Sequence, residues 1–500
     1  VFAFGVSGVL IVLFLVTQCL YLLSLAIDFY FYTRPVDRVD ANPIGGASLR
    51  AYPKIILLYP VLRESDATMR TTLKALSNLD YPADRFRIVA IPNSSDESTI
   101  NVLRGLQEEF GFLEVLEVPP TSDNSWDVVW SAWETNSKAY WWHKGRRAFR
   151  RDLPPKKTRQ LIYAFYALAR EETSDDWLLN YIDADSAPPA DHFLAGAAGM
   201  QRFDVVQSTN IAGNLLDSWP ASWHAMDHMS WDGHRYPHLS ANGRHPYWVL
   251  GKGVFYRASD LLEIGAFNPW ITIEDPEVGM RLWVNGKRLG IITNPLIEEV
   301  PATLRRGIIQ RKRWVCGFLQ SLNSPLKQMG MTFSQRLRAR MNFWPCLFLL
   351  VNPIGLPVGA WAFVNAAGGS LPWWVLPLGI VNVTAFTLSM GLTYRAAWEQ
   401  TARVLDTRRE RVRYMIRVNP LLLWLYWLVW TVPLVIGIQM YLRDKGHVWE
   451  RTEKVDANRD LVASLLVGVA AASARANGSN GTGLAEGEQV VRELEAPDQG

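Results

Sequence analysis

Apolar and polar positions divide the chain into stretches of different period. Val1 to Ile27 carries no charge and is long enough to span a bilayer, and Asp28, Arg34, Asp37 and Arg38 close it. No small-residue cleavage site follows, so residues 1–33 are expected to form a transmembrane helix, not a signal peptide. From about residue 50 the periods shorten. Ile55 to Tyr59, between Lys54 and Pro60, is a continuous apolar run of strand length, and an amphipathic helix follows to about Leu79, where Tyr81-Pro82 breaks it. Phe86 to Ile91 is a second strand, which leads through the polar turn Pro92–Thr99 into a helix ending near Gln107. Trp177 to Ile182 repeats the strand pattern. Strand, polar turn and helix in this order predict a parallel α/β sheet with ligands at the strand C-termini.

Thr121 to Lys157 interrupts that order and reads as an insertion of unassigned role. Trp126, Trp130 and Trp133 recur at helical spacing, as packing residues do, and the basic half from Gly145 to Lys157 could lie on anionic headgroups. After Trp314 the chain becomes amphipathic and basic through Arg336, Arg338 and Arg340, as an interfacial helix would. Two long apolar stretches follow, about 343–366 and 371–392, and then an arginine-dense segment, Arg395–Arg417, which the positive-inside rule places in the cytoplasm. Pro420 to Leu442 is apolar again. A full crossing there would put the charged segment Arg443–Lys454 outside, and Pro433 and Gly437 favour a bent, re-entrant course instead. Residues 321–454 thus form interfacial and transmembrane helices. Residues 465–500, rich in Ala, Gly and acidic side chains, are expected to be a disordered tail.

Composition narrows the class. Hydrophobic residues make up 49% and charged residues 20%, too apolar for a soluble enzyme and too charged for a pure membrane bundle. A net charge of +3 gives no basis for nucleic-acid binding. The 22 tryptophans suit both membrane interfaces and sugar stacking. Cys19, Cys316 and Cys346 follow neither zinc nor disulfide spacing, which favours a reducing, cytosol-facing domain.

Five groups of residues carry candidate chemistry. Asp183 and Asp185 close the strand Trp177–Ile182, where residues i and i+2 share a side and can face one hard cation, Mg2+ or Mn2+; the plain alternative is a turn. Glu274-Asp275-Pro276 begins a helix that Asn285-Gly286 ends, offering either a general base or a cap. Gln310-Arg311-Lys312-Arg313-Trp314 joins phosphate forks to an indole plane, or is a basic face at a membrane boundary. Gly251-Lys252-Gly253 lets a ligand or a neighbouring strand approach the backbone. His224 and His228, at i and i+4, could ligate zinc on a helix, but spacing supplies no third ligand.

Taken in order, these motifs resemble inverting family 2 glycosyltransferases of the cellulose, chitin and hyaluronan synthase type. The resemblance covers about residues 50–320. It implies a cytoplasmic GT-A-like (Rossmann-like) domain inserted between transmembrane helices of a cell membrane protein. It implies a nucleotide-sugar donor, most simply a UDP-sugar, and a growing polysaccharide acceptor lengthened through β-linkages. By that resemblance Asp275, with Glu274, supplies the base. Pro60, Glu64, Asn93, Lys157, Asp183 and Arg313 meet the donor, and Asp183 and Asp185 hold Mg2+ or Mn2+. Gly251, Gly253, Gln310 and Trp314 meet the acceptor. Lys157 to Leu161 resembles the family's K-x-R-x-L element. The sequence departs from the family at Ile273, where Thr is usual and Thr272 stands one place early. It departs also at Asn93, which replaces a carboxylate, and at Ile162, where Asn is usual. Two other readings stand beside this one: transfer of one sugar to a lipid-linked acceptor, and a non-catalytic receptor or scaffold on a degenerate transferase domain. Besides the donor, the acceptor and the lipid bilayer, the sequence names no partner subunit.

Overall fold

The computed structural model describes residues 6–41, 52–172, 177–366, 368–369, 371–446 and 454–466. Most of the tail, 467–500, and the Trp449–Thr452 part of the Arg443–Lys454 segment lie outside the described residues. One sheet organises the domain: β1 Arg38–Val39, β2 Ile55–Tyr59, β3 Phe86–Ala90, β4 Leu113–Val115, β5 Leu178–Tyr181, β6 Val205–Ala212, β7 Val254–Arg257 and β8 Leu289–Glu298. The spatial order is β1-β8-β6-β7-β5-β2-β3-β4. β2 and β5 lie inside the sheet and are buried along their whole length, which explains the apolar run of β2 and the largely apolar β5, whose one amide, Asn180, donates to Val254 O at 3.1 Å.

The sheet is mixed, which corrects the expectation of a parallel one. β7 runs antiparallel to β5 and β6, and every other pair is parallel. The reason is the route of the chain. After β6 it forms helices between Trp219 and Gly243 and re-enters at the C-terminal end of β5, where Val254 pairs with Tyr181.

Local chemistry sets the helix starts. Ser65 caps Asp66–Ser77 by accepting from Thr68 N at 3.2 Å. Asp96 caps Glu97–Glu109 through Thr99 N at 3.4 Å, so the capping role in the Pro92–Thr99 turn falls to Asp96 and not to Asn93. Thr121–Lys157 is part of the main core. Trp126 and Trp133 are fully buried, Trp130 stacks on Trp126 and Trp142 with centroids 5.3 Å apart, and Trp126 meets Tyr163 of helix Lys157–Glu171 at 5.1 Å. Each indole N–H of Trp126, Trp133 and Trp142 finds an acceptor.

Among the described residues, three helices are long and apolar enough to cross a membrane: Ser7–Tyr32, Val375–Thr401 and Pro420–Leu442. Two expected boundaries change. The stretch 343–366 is not one span: helix Phe333–Leu347 gives way to a 3-10 turn at Phe348–Val351, and Asn352–Ala366 then carries Pro357 inside it. The stretch expected to end at residue 392 continues to Thr401, and Arg408–Arg417 is a separate helix started by a Thr407–Glu410 capping box.

Pro420–Leu442 breaks at Trp430 into Pro420–Val429 and Thr431–Leu442. Both flanks of this stretch bond to the α/β domain. Before it, Arg417 donates to Leu216 O at 2.7 Å; after it, Asp444 pairs with Arg147 at 2.9 Å and Lys454 with Asp185 at 2.5 Å. Gly437 allows Thr431–Leu442 to lie against helix Leu304–Leu322, because a Cβ there would strike Val315.

Candidate active site

The C-terminal ends of β2 and β5 and the N-termini of helices Lys157–Glu171 and Asp275–Val284 converge on a cavity of about 1100 Å3. Pro60, Glu64, Lys157, Asp183, Asp185 and Gly251 line it from the sheet side. Glu274, Asp275, Gln310, Arg313 and Trp314 line it as well. Eleven of the thirteen residues singled out by the sequence therefore face one space, although up to about 250 positions separate them.

Asn93 and Gly253 do not line it. Buried Asn93 accepts a bond from Arg159 Nη2 and pairs with Val118 in an isolated bridge, so it belongs to a wall behind the cavity. Gly253 serves packing: its φ is +61°, and a Cβ would meet Leu296 and Ser208. Of the two glycines, Gly251 is the one that lines the cavity.

Asp275 opens helix Asp275–Val284 without capping it. Pro276 occupies the first turn of its helix and no side chain caps that helix; the Glu274 carbonyl accepts from Val278 N at 3.1 Å. Asp275 Oδ1 has no hydrogen-bond partner among the described residues. Burial drives this carboxyl well above the usual carboxylate range, Glu274 pushes the same way, and Lys157 opposes them. Gly251, at φ +70°, makes the room, because a Cβ there would overlap the Asp275 carboxylate. Glu274 is held by Thr158 Oγ1 at 3.1 Å. Thr272, the displaced threonine, spends its hydroxyl on Gly446 O at 3.1 Å.

Lysines pair the other two carboxylates. Lys157 Nζ donates to Asp183 Oδ1 and to Gly251 O, both at 2.6 Å, and Lys252 Nζ stands 3.7 Å from Asp183 Oδ2. Lys454 Nζ and the Glu299 amide both bond Asp185 Oδ2, at 2.5 and 3.1 Å. Burial alone would raise the Asp183 carboxyl, but Lys157, Lys252 and Lys454 outweigh it and hold it well below its ordinary value. β5 ends at Tyr181, so both aspartates lie in the following turn, where strand alternation no longer sets their direction. Asp183 Oδ2 and Asp185 Oδ1 are not used in these bonds, and two hard oxygens suit Mg2+ or Mn2+.

Sequence reasoning missed Lys252 and Lys454 as site residues. The signal for Lys252 was its place between two glycines at a strand end; Lys454 is brought in only by the return of the chain after Leu442. It also missed Asp227, whose Oδ2 accepts from Arg311 at 2.7 Å, Tyr426 at 2.6 Å and Trp430 at 2.8 Å. That carboxylate ties the helix bearing Gln310 and Trp314 to Pro420–Val429. The His224–His228 zinc pair is not formed. His224 Nδ1 bonds Pro301 O at 2.6 Å, and burial, with Arg311 nearby, lowers its pKa to about 2.

A family model described as "Glycosyl transferase family group 2" matches residues 178–442, which is more than half of the chain. The chain belongs to that family. It is 32% identical over 76 residues to the probable glycosyltransferase YdaM of Bacillus subtilis, a match spanning 15% of this chain and 18% of that protein. Solved structures with a similar course include the mannosyltransferase PcManGT from Pyrobaculum calidifontis in complex with GDP-Man and Mn2+, at 15% identity and TM-score 0.47, covering 88% of this chain and 99% of that one. Another is S. aureus TarS 1-349 in complex with UDP-GlcNAc, at 12% identity and TM-score 0.33, covering 78% and 92%. Likenesses this distant carry no weight for the chemistry of this chain.

Proposed function

We propose that this chain is a membrane glycosyltransferase that takes a sugar from a nucleotide-sugar donor, in the first instance a UDP-sugar, and adds it to a growing polysaccharide with inversion to a β-linkage. The observation that carries this reading is the continuity of the cavity. It runs from Asp275 to the membrane helices, where Gln18, Tyr21, Ser24 and Asp28 line it from Ser7–Tyr32 and Trp424, Trp427 and Trp430 from Pro420–Leu442. Polar side chains on otherwise apolar spans are costly and mark a substrate path, and indoles stack on sugar rings.

In this mechanism Asp275 takes the proton of an acceptor hydroxyl as its oxygen attacks the anomeric carbon. The bond from that carbon to the diphosphate breaks on the opposite face, and the nucleoside diphosphate leaves with the electron pair. Lys157 and Arg313 offset the charge that develops on the leaving group. Asp183 and Asp185 would hold Mg2+ or Mn2+, which supplies further positive charge to the diphosphate. Gln310 orients the acceptor and Trp314 stacks on it. Contact of both flanks of Pro420–Leu442 with the α/β domain supports the bent course for that stretch, with the catalytic domain cytoplasmic.

Transfer of one sugar to a lipid-linked acceptor is the second reading. It is favoured by the aliphatic part of the cavity, where Leu356, Ala360, Val375, Leu376, Ile380 and Val383 would suit a hydrocarbon chain. A panel of UDP- and GDP-sugars on detergent-purified protein tests both. Release of nucleotide with a long product supports the polymerase, release with a single addition supports the lipid acceptor, and no release from any donor overturns both in favour of a scaffold.

A further inference from the structure

Next to Trp314 lies a group of ligand atoms that this reaction does not use. His228 on helix Trp219–Ser230, Asp232 in the π-helical turn Trp231–Arg235 and Glu298 at the end of β8 each offer one, all within 4.8 Å of one another. His228 Nδ1 is 3.2 Å from Glu298 Oε1 and 3.4 Å from Asp232 Oδ2. Those separations match the edges of a coordination shell with bonds of about 2.0–2.2 Å.

A second observation shows that the group is unsatisfied. His228 is 6% exposed, yet neither ring nitrogen has a hydrogen-bond partner among the described residues, and Oε1 of Glu298, a residue 2% exposed, has none either. A buried imidazole nitrogen facing two carboxylate oxygens needs a positive centre between them, either its own proton or a bound cation. Lys252 does not fill that place, since its ammonium bonds the other oxygen of Glu298, Oε2. Asn210 Nδ2 donates at 3.4 Å to Asp232 Oδ2, the oxygen that faces His228, and so fixes the direction of that carboxylate.

We infer that His228, Asp232 and Glu298 hold a divalent cation, Zn2+ or Mn2+, at a site separate from Asp183 and Asp185. One imidazole nitrogen with two carboxylate oxygens selects these ions over Mg2+, which takes oxygen ligands, and three protein ligands leave a position open to the cavity. The ion would stand beside the acceptor platform, because the His228 and Trp314 rings are 5.6 Å apart. Its charge would also weaken the hold of Glu298 on Lys252 and turn that ammonium toward Asp183, 3.7 Å away. This coupling rests on the donor assignment above, whereas binding of the ion does not.

The test uses full-length protein in detergent, stripped with chelator and titrated with Mn2+ under electron paramagnetic resonance. The double variant Asp183→Ala/Asp185→Ala removes the all-oxygen pair. It is expected to retain a single Mn2+ per chain, displaceable by Zn2+, with the spin-echo modulation of a directly bound imidazole nitrogen. Adding His228→Gln or, as a second variant, Glu298→Gln should each lose the ion at unchanged melting temperature. The inference is overturned if the double variant retains no Mn2+ or Zn2+, if its Mn2+ shows oxygen ligands only, or if the nitrogen modulation survives His228→Gln. The first two results would mean that His228 is an imidazolium between two carboxylates. Because the readout is metal and not transfer, failure here leaves the glycosyltransferase reading standing.

Discussion

At its sheet end the cavity is lined by ionised groups brought in pairs, while at its membrane end it is lined by neutral polar side chains set singly on apolar helices. Asp183 has Lys157 and Asp185 has Lys454, and Lys252, which also lines the cavity, pairs with Glu298 outside its lining. In the membrane half, Tyr21 meets Asn352 at 3.1 Å and Asn382 meets the Gln18 carbonyl at 3.3 Å. Asp28, paired with Arg235 at 2.6 Å, stands at the junction. Taking a charge out of water costs several kcal/mol unless a counter-charge comes with it, so the sheet end can concentrate charge only by importing lysines. A neutral amide or hydroxyl costs less and can be satisfied by one neighbour. The difference separates tasks: the paired charges can act on a diphosphate and a proton, and the neutral row can only hold or guide hydroxyls.

The comparison is sharpest at Asp275, the carboxylate at the sheet end that burial has raised most clearly. Asp275→Asn keeps its shape and removes the proton acceptor, so kcat should fall by about 10²–10⁴-fold while donor binding by calorimetry stays near wild type. A helix cap would tolerate Asn equally well, and an active variant would remove Asp275 from the mechanism. The same residue sets the pH dependence. A base with a raised pKa is protonated, and inactive, until the pH passes that value. The acid limb of the rate profile should therefore lie well above the ordinary carboxylate range, and a limb near pH 4 would contradict the burial of Asp275.

Gly251→Ala comes next. A methyl group would press on the Asp275 carboxylate from a backbone at φ +70°, and misplacing a reacting group by about 1 Å costs about 10²-fold. Gly253→Ala, which presses on Leu296 instead, should lower the melting temperature and leave kcat of the folded fraction intact. At the membrane end the effects should shrink. Asn382→Leu removes the two neutral hydrogen bonds of that amide, to Gln18 O and Leu378 O, about 0.5–1.5 kcal/mol each, and should alter acceptor KM or product length by roughly 2–10-fold with donor hydrolysis unchanged. Equal losses in both assays would mean that the two ends are not functionally separate. The smallest effect expected is none: a cysteine at Ser464, in an otherwise cysteine-free chain, should stay unlabelled by an impermeant reagent on intact cells. Strong labelling would mean that Pro420–Leu442 crosses the bilayer.

The sequence by itself determined the elements that local chemistry dictates. An unbroken apolar run gave β2, and runs interrupted only by Arg87 and Asn180 gave β3 and β5, within a residue or so; Pro276 and Asn285-Gly286 bracketed the Asp275 helix, and motif order identified most of the residues that share the cavity. It could not show the direction of β7, because strand pattern is the same whichever way the chain runs. It could not separate Gly251 from Gly253, since both need positive φ and only the neighbours, Asp275 for one and Leu296 for the other, distinguish them. Lys252 on Glu298, Lys454 on Asp185 and the approach of His228 to Asp232 and Glu298 were decided by tertiary structure alone. These contacts join positions that no local pattern links, and a lysine or histidine in sequence looks the same whether it faces water or a buried carboxylate.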